Sequence, residues 1–462
     1  MRFRRLLSCL LLFSMLSVNN LPLAMAADAP PATSPAVTKP APSTDKAAKD
    51  TQDTKDTKDT KEPAQTVVVK PVRPNFVEKF LFEGKLAEGE TAITAELKRR
   101  PKDDQLRFGL AVVQFLRGLE RMTRSFYRYG MRDNVANGMN IPFLRLPVGG
   151  NPYPEIFSYE KARGVFEVFH DNLAQVESTL AEIKNDKVKL PLHFGLIRFD
   201  VNGNGKCEQD EVLWKLFADL THNYEMQVQK AEQFTITFDR GDVYWLQGYC
   251  HLLMSLAQIY LAYDSKEFFE CTAHMFFQKV ESPYMFLNSN KRVHALLGSE
   301  IDVVDLIALI HLIRWDVAEP TRMVSALHYL EGMVGKSKEM WQSVMAETDD
   351  DHEWIPNPNQ TGVIPNVRVT EQMVSAWLDL MDKSEKVLSG KLLIAFWRSD
   401  DGRGVNLRRV FLEPTKLDLV LWVQGPAAAP YLEKGETTKM ETWRNLQNAF
   451  GREFPGFALW FN

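Results

Sequence analysis

The chain has 462 residues, with 55 basic and 60 acidic side chains and a formal net charge of -5; its isoelectric point is near 6.1. That balance argues against a general nucleic-acid binder, which needs a strongly basic face. Beyond the first residues no run reaches about 18 consecutive apolar positions, so no transmembrane helix is expected.

Arg2, Arg4 and Arg5 precede an apolar run over residues 6–16, and Ala24-Met25-Ala26 follows as a small-x-small cleavage sequence. Residues 1–26 therefore read as a secretory signal peptide, which predicts a secreted or periplasmic protein. Residues 27–66 are dominated by Ala, Pro, Thr, Lys and Asp, with Asp-Thr-Lys repeated three times over 53–61. Such a stretch has almost nothing to bury, and it is expected to be a disordered linker.

The fold class expected from the rest is mainly α: an irregular multi-helix domain over 67–347, then a smaller α+β C-terminal portion over 366–462. An acidic, Pro-rich stretch at 348–365 is the candidate boundary. Residues 86–100 carry a helical pattern that stops at Pro101, and Asp103 or Asp104 can cap a second helix to about Tyr129. This hairpin, with its Pro-x-Asp turn, resembles a tetratricopeptide-type unit over some 45 residues, but no second copy recurs at a 34-residue period. Residues 130–159 read as a long loop. Val165, Phe169, Leu173, Val176, Leu180 and Ile183 then form one apolar helix face. From Val188 the period shortens to two through Leu190, Leu192, Phe194 and Leu196, which predicts an extended segment.

That segment leads to Asp200-Val-Asn-Gly-Asn-Gly-Lys-Cys-Glu-Gln-Asp-Glu211. Asp200, Asn202 and Asn204 alternate, Gly205 allows a positive φ where the chain must turn, and a carboxylate returns at the twelfth position. A polar turn would explain the Asn, Asp and Gly residues; it gives no reason for Glu211. The twelve residues resemble an EF-hand calcium loop. The resemblance implies Ca²⁺ ligands from Asp200, Asn202, Asn204, the Lys206 carbonyl, Glu208 and Glu211. It departs from the family in three ways. Pro191 and Gly195 make an entering helix doubtful, Cys207 takes the eighth position where a branched apolar residue is usual, and no second such loop exists to pair with. A single loop with two neutral Asn ligands suits a structural ion, with Kd nearer the ~10⁻⁴ to 10⁻³ M of extracellular modules than that of a tight buffer.

Beyond the loop, helical character is expected after Glu211, a short strand at 234–238, and helices at 242–263, 266–279, 301–315 and 321–345, the last interrupted at Gly332. A helix at 370–389 should end at Gly390, followed by strands at 392–397 and 417–423. Cys207, Cys250 and Cys271 remain after signal removal, an odd number, with Cys250–Cys271 open as a disulfide.

Other constellations have plainer readings. Cys250-His251 with Cys271-x-x-His274 offers zinc-type ligands, yet both pairs sit in apolar helices where Cys is ordinary core. Asp239 or Asp242 reads as a helix N-cap, since no second carboxylate is placed nearby by the sequence. Arg117, Arg121, Arg124 and Arg128 form a basic stripe, open to an anionic partner or to pairing with acidic neighbours. The run Asp349-Asp350-Asp351-His352-Glu353 could hold a second divalent ion or simply face water. In the tail, Asp400, Asp401 and Glu413 among Trp397, Trp422, Trp443 and Trp460 are the candidate acids of a glycoside-cleaving site. No nucleophile elbow, zinc-protease, phosphate-loop or dinucleotide motif is present. The expectation is therefore an exported calcium-binding protein, without assigned catalytic residues, serving a protein or polysaccharide partner. The alternative is a calcium-stabilised hydrolase of envelope polysaccharide.

Overall fold

The computed structural model describes residues 73–132, 148–208, 211–215, 235–288, 303–350, 352–363, 368–398 and 401–451, with 454 and 458. The signal peptide and linker expected at 1–66 lie outside these residues, as do Asp351, Asp400, Trp460 and most of the helix expected after Glu211. The described residues share one contact unit. The architecture is mainly α with a smaller α+β C-terminal portion.

Helix α1 (Phe76–Glu83) starts on a capping box. Asn75 Oδ1 accepts from the N–H groups of Val77 and Glu78, while Glu78 Oε2 accepts from Asn75 N–H at 2.9 Å. It ends at Gly84, whose φ of 66° is a left-handed value that glycine adopts without strain. Helices α2 (Leu86–Arg99) and α3 (Asp104–Arg128) flank the Pro101 break, with Asp103 capping α3 through Leu106 N–H at 2.9 Å. Helix α4 (Tyr159–Ala181) packs on α3, burying Phe169, Leu173, Val176 and Leu180 as their spacing predicts.

Strand β1 (Leu190–Leu192) pairs antiparallel with β2 (Ile236–Phe238), with Leu190 opposite Phe238. Between β1 and the polar loop lies a single 3₁₀ turn, Phe194–Leu196, and no α-helix. Helix α5 (Arg240–Ala262) is buried on most of its circumference, as expected for an element apolar nearly all round. Strand β3 (Tyr263–Asp264) follows it directly.

Several elements are shorter than their patterns predict. The helix expected at 266–279 is α6 (Lys266–Thr272) plus a 3₁₀ turn, because the chain then bends to form a bridge between Phe277 and Met131. The helix expected at 301–315 is α7 (Val303–His311); Trp315 belongs instead to β4 (Arg314–Val317), recruited by partners on both sides. Helix α8 (Pro320–Val344) is unbroken at Gly332. That glycine admits the His251 ring of α5, and a Cβ there would lie 3.0 Å from it.

Helix α9 (Glu371–Leu388) begins on Thr370 and packs on α8, where Trp377 Nε1 donates to Ser337 Oγ at 2.9 Å in the core. After it come β5 (Ile394–Ala395), β6 (Arg403–Val405), α10 (Leu407–Leu412) and β7 (Leu417–Asp418). The strand expected over 417–423 stops after two residues. Asp418 accepts from Leu421 N–H at 2.9 Å and so caps α11 (Leu419–Gln424). Strand β8 (Leu432–Lys434) and α12 (Met440–Phe450) complete the described chain. One three-stranded sheet has the order β5-β6-β8, and another the order β3-β4-β7, joining the helical body to the C-terminal portion.

Candidate metal centre

The approach to the 200–211 loop is fixed along α1. At the start of that helix, Glu78 Oε1 lies 2.8 Å from both the backbone N–H and the ring Nδ1 of His193. At its end, Arg198 N–H donates to the Leu81 carbonyl at 3.0 Å. Arg198 also bridges to Val212, closing the loop's two ends.

Within the loop, side-chain oxygens accept from the loop's own backbone N–H groups. Asp200 Oδ1 accepts from Gly203 and Asn204 at 2.7 and 3.1 Å, and Oδ2 from Gly205 at 2.8 Å. Asn202 Oδ1 accepts from Asn204 at 2.9 Å, and Asn204 Oδ1 from Lys206 at 2.7 Å. These are self-bonded Asx turns, and Gly205 at φ 78° supplies the bend between them. Glu211 folds back over the start: its Oε1 accepts from Val201 at 2.9 Å and its Oε2 from Glu208 at 2.9 Å. Glu208 Oε1 accepts from the Asn204 amide at 3.2 Å. Asp200 and Glu211 are only 3% and 7% exposed, so two carboxylates are buried at the ends of one twelve-residue curl.

The loop rests on two neighbours that the sequence does not announce. Arg124 of α3 donates from Nε to the Asp200 carbonyl at 2.8 Å and from Nη2 to Asp200 Oδ2 at 2.9 Å. The same Nη2 lies 3.1 Å from Glu120 Oε1, which also accepts from Asp200 N–H at 3.0 Å. Burial raises the Glu120 carboxyl above its ordinary value. The second neighbour is Gly84. Cys207, at the position that usually faces a partner loop, packs instead on the end of α1, so closely that a Cβ on Gly84 would lie 2.0 Å from its sulfur. Burial, then Glu211 and Asp200, push the Cys207 thiol up to about 11.

The donors fit a hard dication. Asp200, Asn202, Asn204, Lys206 through its carbonyl, Glu208 and Glu211 offer oxygen only, and three of them are carboxylates. The Lys206 side chain points to solvent. In such a loop the bound ion would supply charge neutralisation for the buried Asp200 and Glu211, and these residues would hold it.

Other candidates resolve differently. Cys207, Cys250 and Cys271 are free thiols, so the pairing open for Cys250 and Cys271 does not occur. Among the described residues no zinc-type cluster forms. The one group of three metal-type ligand atoms within 4.8 Å of one another is Asp239, Glu347 and Glu353. Asp239 is the N-cap of α5, and Asp242 completes its capping box. Sequence spacing signalled Asp239 and Glu353 separately; Glu347 carried no signal because it arrives from the end of α8. Burial and the nearby Asp239 push Glu347 up to about 9, and burial holds Asp242 well above the usual carboxylate range. Glu347 is thus drawn toward its protonated form, and Asp239 with Asp242 closes the N-terminus of α5. Asp349 pairs with Lys189, and Asp350 accepts from Thr361 N–H at 2.8 Å.

In the tail, Asp401 pairs with Arg403 at 2.6 Å and Glu413 with Arg409 at 2.6 Å, both carboxylates being exposed. Arg409 holds Glu413 below its ordinary value, opposite to what a general acid needs. Trp397 Nε1 donates to the Val423 carbonyl at 3.1 Å, Trp422 stacks on Tyr431, and Trp443 meets Phe454 edge to face. These rings are packing material. Three of the four stripe arginines meet carboxylates: Arg117 with Glu90, Arg124 with Glu120 and Asp200, Arg128 with Glu155.

No known protein family, curated protein or solved structure matches this chain. No helix among the described residues is long and apolar enough to cross a membrane.

Proposed function

We propose that this chain is an exported calcium-binding protein in which one EF-hand-like loop holds a structural Ca²⁺. The observation that carries the reading is the burial of two carboxylates, Asp200 and Glu211, at the two ends of a curl whose side-chain oxygens accept from the loop's own backbone. Asn202, Asn204, the Lys206 carbonyl and Glu208 complete the donor set. The ion's role is local: it ties the loop, the end of α1 and the Arg124 face of α3 into one unit. Without a second loop to pair with, a cooperative opening switch has no partner element. The export reading rests on the leader pattern of residues 1–26. Calorimetric titration with CaCl₂ in chelator-treated buffer tests the proposal. One site per chain, weakened by Glu211→Gln, is expected; no heat of binding up to several millimolar Ca²⁺ refutes it.

A further inference from the structure

Of the five arginines on α3, Arg121 is the one left without an ion pair among the described residues. Its guanidinium Nη1 donates to Asn172 Oδ1 at 2.6 Å. The nearby Glu90 and Glu120 are engaged by Arg117 and Arg124. Burial, then Arg117, pulls Arg121 below the usual arginine range, against the opposite effect of Glu90 and Glu120.

Arg121 lines a groove of about 320 Å³ between α3 and α4, at the low end of small-molecule sites. Lys161 is at the other end of the groove, with Glu155 near enough to feel its charge; it donates to the Ile156 carbonyl at 2.7 Å and lies over the Tyr129 ring at 5.4 Å. Between the two cations the walls are apolar, formed by Met122, Val165, Val168 and Phe169, and Val168 stays 52% exposed. Gly164 keeps one side open, since a Cβ there would meet no atom within 4 Å.

We propose that this groove binds a small amphiphilic anion: an oxyanion head on Arg121, and a short apolar body along the α4 wall. An arginine fork matches a carboxylate or phosphate head with two parallel hydrogen bonds. Neither wall involves the calcium loop, so the groove stands or falls independently of it.

The probes are sodium octanoate and octyl phosphate, titrated calorimetrically into the full chain, with octylamine and inorganic phosphate as controls. One site for at least one amphiphilic anion is expected, with both controls at least about tenfold weaker. Arg121→Gln should weaken binding about tenfold, the size of one charge-assisted hydrogen bond. Gly164→Leu fills the open side with a better helix former and should abolish binding while keeping the parent melting temperature. If Arg121→Gln fails to fold, Arg121→Lys, which keeps the charge and loses the two-pronged fork, should weaken binding several-fold. Inorganic phosphate binding as tightly as the octyl probes overturns the role given to the apolar walls. Binding unchanged by Gly164→Leu, or none by either anion, overturns the site.

Discussion

Replacing Glu211 by Gln separates the calcium contribution from the loop's own hydrogen bonds. In the parent, Glu211 Oε1 accepts from Val201 and Oε2 from Glu208, both at 2.9 Å. Gln keeps one acceptor but sets an amide N–H₂ against the other backbone N–H. That mismatch costs about 1–3 kcal/mol without any metal. The diagnostic quantity is therefore the slope of stability against calcium, and not stability itself. Above Kd, each tenfold rise in free Ca²⁺ adds about 1.4 kcal/mol to a protein that binds only when folded. For a body of about 390 residues (72–462), the unfolding entropy is roughly 0.8 kcal/mol/K, so each decade raises Tm by about 2 °C. Melts by circular dichroism from 0.1 to 10 mM CaCl₂ should show that slope in the parent and a flat line in Glu211→Gln, with MgCl₂ as the control salt. Equal slopes, or a flat parent, would refute the assignment of Glu211 as a ligand.

The Asp239, Glu347 and Glu353 group predicts a pH effect. Glu347 sits up to about 9 in the fold against an ordinary 4.5, so the folded state keeps a proton that the unfolded chain has lost. This contribution is full below pH 4.5 and falls away as pH rises through about 9. Glu347→Gln, which retains the contact to Gln360, should lose stability less steeply over that range in urea titrations at several pH values; parallel curves would contradict the proton-holding role. Gly84→Ala forces a Cβ into a left-handed backbone and onto the Cys207 sulfur. A loss of about 1–3 kcal/mol, partly restored by adding Cys207→Ala, is expected by denaturant unfolding. Gly332→Ala sets a helix-propensity gain of up to ~1 kcal/mol against overpacking on His251 that costs about 1–3 kcal/mol. Net destabilisation is expected, and a rise in Tm would show that α5 and α8 can move apart.

Local chemistry made much of this molecule legible in its sequence. Pro101 with Asp103, the period of α4, and Thr370 at the start of α9 are signals whose cause lies within a few residues. What failed was set by distant partners. Trp315 joined a strand because Leu417 lies opposite it, and nothing within a helical window can report that. The shortening of the 417–423 strand came from Asp418 turning to cap a helix, a choice between two legitimate uses of one residue. At the candidate centre the curl of the loop was legible, because the Asp200, Asn202 and Asn204 spacing and the glycines are local. Arg124 was marked only as part of a basic stripe that could pair with acidic neighbours, and Gly84 carried no signal; both reach the loop through the packing of α3 and α1. Glu347 was missed for the same reason: its partner Asp239 lies at the far end of a different helix.

The strand β4 is hydrogen-bonded on both edges, to Tyr263–Asp264 on one side and Leu417–Asp418 on the other. A chain ending before residue 417 would leave one of those edges bare. Its free amides and carbonyls, beside the half-buried Trp315, would then be open to any extended segment from another molecule. Shortened versions of this protein should therefore be prone to self-association, and the cut that best avoids it is one that keeps Leu417 and Asp418 in the chain.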